Sequence, residues 1–255
     1  MQPISRDRAL TKYFEHDRLR PTFTRTLFDT CAPDYDHVCR IAAFGLGQRY
    51  RRDALRRAGL ALGMHVLDVA TGTGLTASEA QTVVGPDGRV VGVDPSSGML
   101  REGRHLGHSA VQGLGEALPF ADASFDVVCM GYALRHVADL QLAFDDFRRV
   151  LRPGGRVLVL EITAPASRIG RWLARQYFQR VVPTLTARAA RPDSSERLMR
   201  YYWDTIDACV KPSVILEAAR SSGFEDVRRK VVHRVFSEYV GRRPDRPGVP
   251  GMLEC

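Results

Sequence analysis

The chain lacks any apolar run approaching the roughly 18 residues that a membrane-spanning helix needs. Its first residues, Met1-Gln2-Pro3-Ile4-Ser5-Arg6-Asp7, carry no apolar stretch of the kind that opens a secretory leader. A cytoplasmic location is the resulting expectation. The five cysteines, Cys31, Cys39, Cys129, Cys209 and Cys255, are odd in number and form no C-x-x-C pair. A structural zinc and a disulfide framework are therefore poor readings. Cys129 sits in an apolar run and reads as a small core residue. His37, His65, His105 and His108 lack metal-ligand spacing, so no metal is expected. No internal repeat is visible, and no acid lies between Ser167 and Val182.

What is present suits one α/β domain with additions: 255 residues, 44% of them hydrophobic, are ample for a core of that size. The net charge of +8 admits nucleic acid, anionic lipid or plain solubility as its meaning. Its distribution is more telling. Arg168, Arg171, Arg175 and Arg180 fall in the acid-free segment, beside Ile169, Trp172, Leu173, Tyr177 and Val181 at helical spacing. That pattern is a basic amphipathic helix.

Residues 1–60 read as helical, in short pieces up to residue 34 and more continuously over 35–58. From Gly63 strands and helices alternate: strands at 66–70, 89–93, 110–113, 125–131 and 156–161, and helices at 75–83, 97–106 and 140–150. Arg152-Pro153-Gly154-Gly155 reads as a sharp stop before the fifth strand. Such alternation implies a doubly wound, mostly parallel sheet, Rossmann-like in character, over a core at 61–163. Residues 164–211 interrupt it with a helical lid. A helix and one or two strands at 212–240 complete the sheet, and 241–255, rich in Gly, Pro and Arg, reads as a disordered tail.

The most informative stretch is Leu67-Asp68-Val69-Ala70-Thr71-Gly72-Thr73-Gly74, followed by Val90-Val91-Gly92-Val93-Asp94. Gly72 and Gly74 permit a tight turn and close approach of backbone to a ligand, and the helix opening at Leu75 points free N–H groups at it. Asp94, 20 residues beyond Gly74, can accept both hydroxyls of a ribose. A dinucleotide is one reading, since Gly72-x-Gly74-x-x-Ala77 fits the loose glycine pattern. Asp68 argues against it: a carboxylate at the turn repels a pyrophosphate but attracts the ammonium of an amino-acid moiety. S-adenosyl-L-methionine (SAM) carries that cation and a ribose, without phosphate.

These motifs resemble those of class I SAM-dependent methyltransferases, together with Glu116-Ala117-Leu118-Pro119-Phe120, Phe125-Asp126-Val127-Val128 and Leu151-Arg152-Pro153-Gly154-Gly155. More narrowly, the chain resembles the ubiquinone/menaquinone C-methyltransferase family over roughly residues 35–240. The likeness rests on Tyr35-Asp36, Phe44-Gly45, Arg49-Tyr50-Arg51, Leu134-Arg135-His136-Val137-Ala138-Asp139, Tyr202, Ile206 and Ala219–Phe224. The resemblance implies a seven-stranded α/β fold, SAM as cofactor and Arg135 as a functional arginine. Where the family places an adenine-binding Asp this chain has Leu114, so Gly115 or Glu116 is expected to hold adenine. Where the family has Asn after the arginine, this chain has His136.

Asp68, Ala70, Gly72, Gly74, Asp94, Met99, Gly115 and Glu116 are thus the expected cofactor-binding residues. Arg135 and His136 follow the fourth strand at the sheet edge where ligands of this fold collect. His136 suits a general base, and Arg135 the stabilisation of a phenolate. Pairing of Arg135 with a nearby acid, and capping of a helix by His136, are the alternatives. Tyr35, Arg135, Glu161 and Tyr202 are expected to meet the acceptor, with a structural hydrogen bond for Glu161 and plain packing for the tyrosines left open. The expected activity is methyl transfer to a small aromatic or quinol-like acceptor, at carbon by resemblance. Alternatives are O- or N-methylation of a secondary metabolite, and SAM binding without transfer. No nucleic-acid partner is expected, since no Asn/Asp-Pro-Pro-aromatic motif follows the fourth strand. The basic helix at 168–182 admits two readings: contact with the inner face of a membrane, or packing over the core or a second subunit as a homodimer.

Overall fold

β1 (His65–Val69) is the hinge of the architecture, flanked by β2 (Arg89–Asp94) and β4 (Phe125–Gly131), both parallel to it. With β3 (Ser109–Gln112), β5 (Leu151–Ile162), β6 (Glu225–Val232) and β7 (Phe236–Arg242), the sheet runs in the order β3-β2-β1-β4-β5-β7-β6. Only β7 runs against its neighbours. The strand order reverses between β1 and β4, so the loops leaving their carboxyl ends diverge and open a crevice. This computed structural model describes residues 10, 12, 13, 16, 19–107, 109–187 and 192–245.

Strand alternation divides the core. Leu67, Val69, Val91 and Val93 face α5 (Leu140–Val150) and α9 (Pro212–Ser221) in one apolar layer with Phe144, Phe147 and Ile215. Val66, Val90 and Val127 face α2 (Gly47–Arg57) and α3 (Leu75–Val84), against Leu55, Ala77, Ala80 and Val83. A third cluster lies beyond the sheet edge. There α1 (Arg20–Ala42) packs on α7 (Val182–Thr186) and α8 (Pro192–Asp207) through Leu27, Cys31, Val38, Val182, Leu198 and Tyr201.

Three expectations change. The short N-terminal pieces are one helix from residue 20 to 42, with Pro21 in its first turn and Pro33 inside it. Asp29 on α1 docks α4 (Ser97–Gly103): its carboxylate accepts from Ser96 Oγ at 2.6 Å and from the Gly98 amide at 2.7 Å. The stop at Arg152–Gly155 is instead a bulge inside β5. Phe125 pairs with Leu151 but Val127 with Arg156, the surplus residues looping out at Gly154, whose φ is +76°. The tail expected to be disordered from Gly241 begins inside β7, where Gly241 pairs with Val157 and Arg242 with Arg156. Arg243 extends the anchorage, its amide donating to Gly155 and its carbonyl accepting from Gly154. Residues 246–255 of that expected tail lie outside the described residues.

Candidate active site

A cavity of about 320 Å³ occupies the crevice. Its floor is Val69, Ala70 and Gly72 after β1, Asp94–Ser96 after β2, and Met130–Ala133 after β4. Its walls are α1, through Thr24, Phe28 and Tyr35, and the segments 114–116 and 136–139. At both lips a non-glycine residue takes a left-handed backbone: Ala70 at φ +54° and Tyr132 at φ +61°. Such strain costs about 1–3 kcal/mol per residue and collects at functional sites.

Asp94 commands the β2 side. One carboxylate oxygen accepts from the Gly72 amide and the other from the Ser96 amide, both at 2.8 Å. A carboxylate offers about four acceptor positions, so two remain for a vicinal diol. Burial pushes its pKa up to about 6, against the lowering effect of the two amides. Gly72 is held at φ +59°, and a Cβ there would lie 3.0 Å from Met99 Cε. The site therefore uses bare backbone at this point. Gly74, at φ +90°, opens α3. Met99, Leu114, Gly115 and Glu116 line the same end. Glu116 accepts from the Ala138 amide at 2.6 Å, tying the two wall segments together.

Asp68 is not brought to the cavity wall. It shares the strand face of Val66, which looks toward α3, and is fully buried. Thr71 Oγ1 donates to it at 2.7 Å and Cys129 Sγ approaches at 3.4 Å. Burial pushes its pKa up to about 6, with the Thr71 hydrogen bond opposing. The geometry makes it a pin for the glycine turn.

Arg135 and Glu161 also lie behind the wall. The Arg135 side chain is 1% exposed and meets Glu161 Oε1 at 2.7 Å. It also donates to Thr205 Oγ1 at 3.1 Å and to the Tyr132 carbonyl at 2.5 Å. Its guanidinium lies 4.9 Å from the ring centre of Tyr202, whose hydroxyl donates to Tyr35 at 2.8 Å. Both tyrosines line the cavity, so Arg135 supports it through them.

His136 does line the cavity. Its Nδ1 lies 3.2 Å from the Tyr201 hydroxyl, and its Nε2 is buried without a hydrogen-bond partner. Burial, then the charges of Arg135 and Arg20, hold its pKa well below the usual imidazole value, so the ring is neutral. Reasoning from sequence named Tyr35 but missed the rest of the α1 wall, Thr24 and Phe28, and Tyr201. Phe23, Leu27, Cys31, Tyr35 and Val38 keep three-to-four spacing, but Pro33 interrupts the pattern as a helix boundary would. Among the described residues no group of three or more His, Cys, Asp or Glu is placed to hold a metal ion.

Residues 17–235 match the ubiE/COQ5 methyltransferase family. The ubiquinone/menaquinone biosynthesis C-methyltransferase UbiE of Syntrophotalea carbinolica is 36% identical over 230 residues, covering 86% of this chain and 94% of that protein. The demethylmenaquinone methyltransferase of Symbiobacterium thermophilum is 36% identical over 214 residues, 79% of this chain and 84% of its own length. Among solved structures, a SAM-dependent methyltransferase from Thermotoga maritima superposes with a TM-score of 0.59 at 19% identity, covering 86% of this chain and 99% of that one. That last likeness concerns the fold alone.

Proposed function

The chain belongs to the ubiE/COQ5 methyltransferase family, and from that premise we infer that it methylates a ring carbon of a quinol-like acceptor. It is a SAM-dependent methyltransferase. The cavity fits that cofactor: Asp94 has acceptor positions left for the ribose, Gly72 offers bare backbone, and Met99, Leu114 and Gly115 supply a mostly apolar berth for adenine. When bound, SAM supplies a methyl group on a positively charged sulfur. The protein's own work is to orient the acceptor, exclude water and move a proton.

The observation that carries the reading is a histidine with an unpaired ring nitrogen lining a largely apolar cavity that is continuous with the Asp94 end. A hydroquinone ring is a poor carbon nucleophile until a hydroxyl loses its proton. His136 Nε2, buried and unpaired, takes that proton. The electrons released into the ring make the carbon beside the hydroxyl nucleophilic. That carbon gains the methyl as the bond to sulfur breaks, leaving a neutral thioether; the ring hydrogen then leaves as a proton to water, and the restored phenolate takes the first proton back from His136. Phe28, Met130 and Val137 keep the site dry, which favours a transition state in which charge is being dispersed. Tyr35 and Tyr202, held by Arg135 and Glu161, position the acceptor. The test is incubation with ¹³C-methyl-labelled SAM and short-tailed demethylated hydroquinones. Methyl on ring carbon is expected; products methylated only on oxygen or nitrogen contradict carbon transfer.

The partner surface belongs to the same reading. No residue of α6 (Arg168–Gln176) is buried. Ile169, Trp172 and Leu173 are 74%, 60% and 55% exposed, and Phe44, stacked on Tyr177, is 73% exposed. Arg168, Arg175 and Arg180 are exposed on the same segment, while Arg171 pairs with Asp207 at 3.2 Å. No helix of the described residues is long and apolar enough to cross a membrane. This face is proposed to rest on the anionic inner surface of a membrane, from which a lipid-tailed acceptor is drawn, with the protein otherwise cytoplasmic. The wild-type chain is expected to sediment with phosphatidylglycerol vesicles, less so at high salt, and Trp172→Glu to stay in solution. A dimer in solution that Trp172→Glu dissociates, with no vesicle binding, would assign the face to a second copy instead.

A further inference from the structure

The proton transfer just described requires His136 Nε2 to present a lone pair, yet a neutral imidazole can carry its proton on either nitrogen. What selects the nitrogen is a pair of hydroxyls on the Nδ1 side of the ring. Tyr201 is buried in the third core cluster, its ring nearly parallel to the imidazole at 5.4 Å between centroids. Its hydroxyl has two neighbours, His136 Nδ1 and Thr24 Oγ1, each at 3.2 Å. A phenol has one proton to give. If it goes to Thr24, the oxygen offers a lone pair to Nδ1, which then carries the hydrogen, and Nε2 is bare. If it goes to Nδ1, Nε2 must carry the hydrogen.

The two arrangements differ in what they leave unsatisfied. Nε2 is buried and has no partner. A hydrogen there would be a buried donor with nothing to receive it, costing about 1–3 kcal/mol. With the hydrogen on Nδ1, the donor left over is the hydroxyl of Thr24, a residue that lines the cavity, and the sealed Nε2 is left only an acceptor position. Buried donors are left orphaned less often than acceptors. The surroundings hold both rings in their neutral forms. Arg20 on α1 and Arg135 beside His136 oppose an imidazolium, and burial raises the Tyr201 hydroxyl above its ordinary value. Phe28 covers His136 edge-on at 5.5 Å, and Arg25 on α1, Glu116 and Asp139 are the other charged residues that line the same cavity.

We propose that Tyr201 is a positioning residue that, with Thr24, fixes His136 as the Nδ1–H tautomer and so leaves Nε2 a bare lone pair, the form a base needs. The proposal rests on the reading of His136 as the base, and deepens it.

Long-range ¹H–¹⁵N spectra of the full chain labelled at histidine, with His136 assigned by its loss in His136→Gln, read the tautomer directly. A protonated Nδ1 and a bare Nε2 are expected. In Tyr201→Phe the two tautomers should mix. The maximal rate at neutral pH should fall by roughly ten- to a hundredfold, with the KM for SAM unchanged. That deficit should shrink as pH rises toward the ionisation of the acceptor's own hydroxyl, near 10 for a phenol. A hydrogen on Nε2 in the wild type overturns the proposal, as does a rate deficit that is the same at every pH. Thr24→Val, which removes the receiver of the Tyr201 proton, should mix the tautomers in the same way; an unchanged spectrum there also counts against it. If instead His136→Gln retains full activity while the wild-type ring is Nδ1-protonated, the reading of His136 as base has failed and the tautomer assignment stands.

Discussion

Replacing Asp94 by Ala is expected to weaken SAM binding by about 1.5–3 kcal/mol, a factor of roughly ten to 150, the scale of hydrogen bonds to a charged group. The substitution removes the acceptor proposed for the ribose, and it also frees the Gly72 and Ser96 amides that shape the loop. The same carboxylate sets the pH dependence. Burial raises the pKa of Asp94 to about 6 in the free protein, and a diol needs the ionised form as acceptor. Affinity for SAM should therefore be full above that value and fall as pH drops through it, with up to a tenfold loss per unit below. In Asp94→Ala this pH dependence should vanish. Calorimetric titration of both proteins from pH 5 to 8 checks both arms; unchanged affinity in the variant removes Asp94 from the cofactor site.

Arg135→Met should cost the fold about 3–5 kcal/mol, because it leaves Glu161 buried without its partner. For a chain of this length that is a fall in melting temperature of roughly 6–20 °C. Arg135→Met with Glu161→Leu should recover most of it, since the second change removes the stranded charge. The sequence alone allowed two readings of Arg135, a catalytic group or half of an ion pair, and this experiment separates them. A single variant that melts like the wild type yet transfers no methyl would place the guanidinium in contact with the acceptor.

The legible parts of the molecule are those where local pattern and fold agree. Phe125–Gly131 and Leu140–Val150 form at their expected bounds because each is a short apolar element with its own punctuation; Asp139 caps the helix by accepting from the Gln141 and Leu142 amides. The place of Asp94 at the cavity was readable from spacing because it closes β2 beside the glycine turn. Asp68 could not, because the sequence does not reveal which strand face turns toward the ligand and which toward α3. Glu161 and Arg135 were placed at the right edge of the sheet, but their mutual burial depends on α8 supplying Thr205 and Tyr202 from far along the chain. Tyr201 was invisible for the same reason: it reaches His136 only after α8 folds back over α1. Leu114, at the position where the family resemblance puts an acid, and Gly115 do reach the cavity, and a polar contact at that wall is the bond from Ala138 to Glu116.

A crystal structure of the chain with S-adenosylhomocysteine and a short-tailed demethylated hydroquinone tests the central assignment most directly. The account predicts the acceptor's hydroxyl hydrogen-bonded to His136 Nε2, with the adjacent ring carbon, not the oxygen, directed at the sulfur. An acceptor oxygen directed at the sulfur, or a ring bound away from His136, would contradict it.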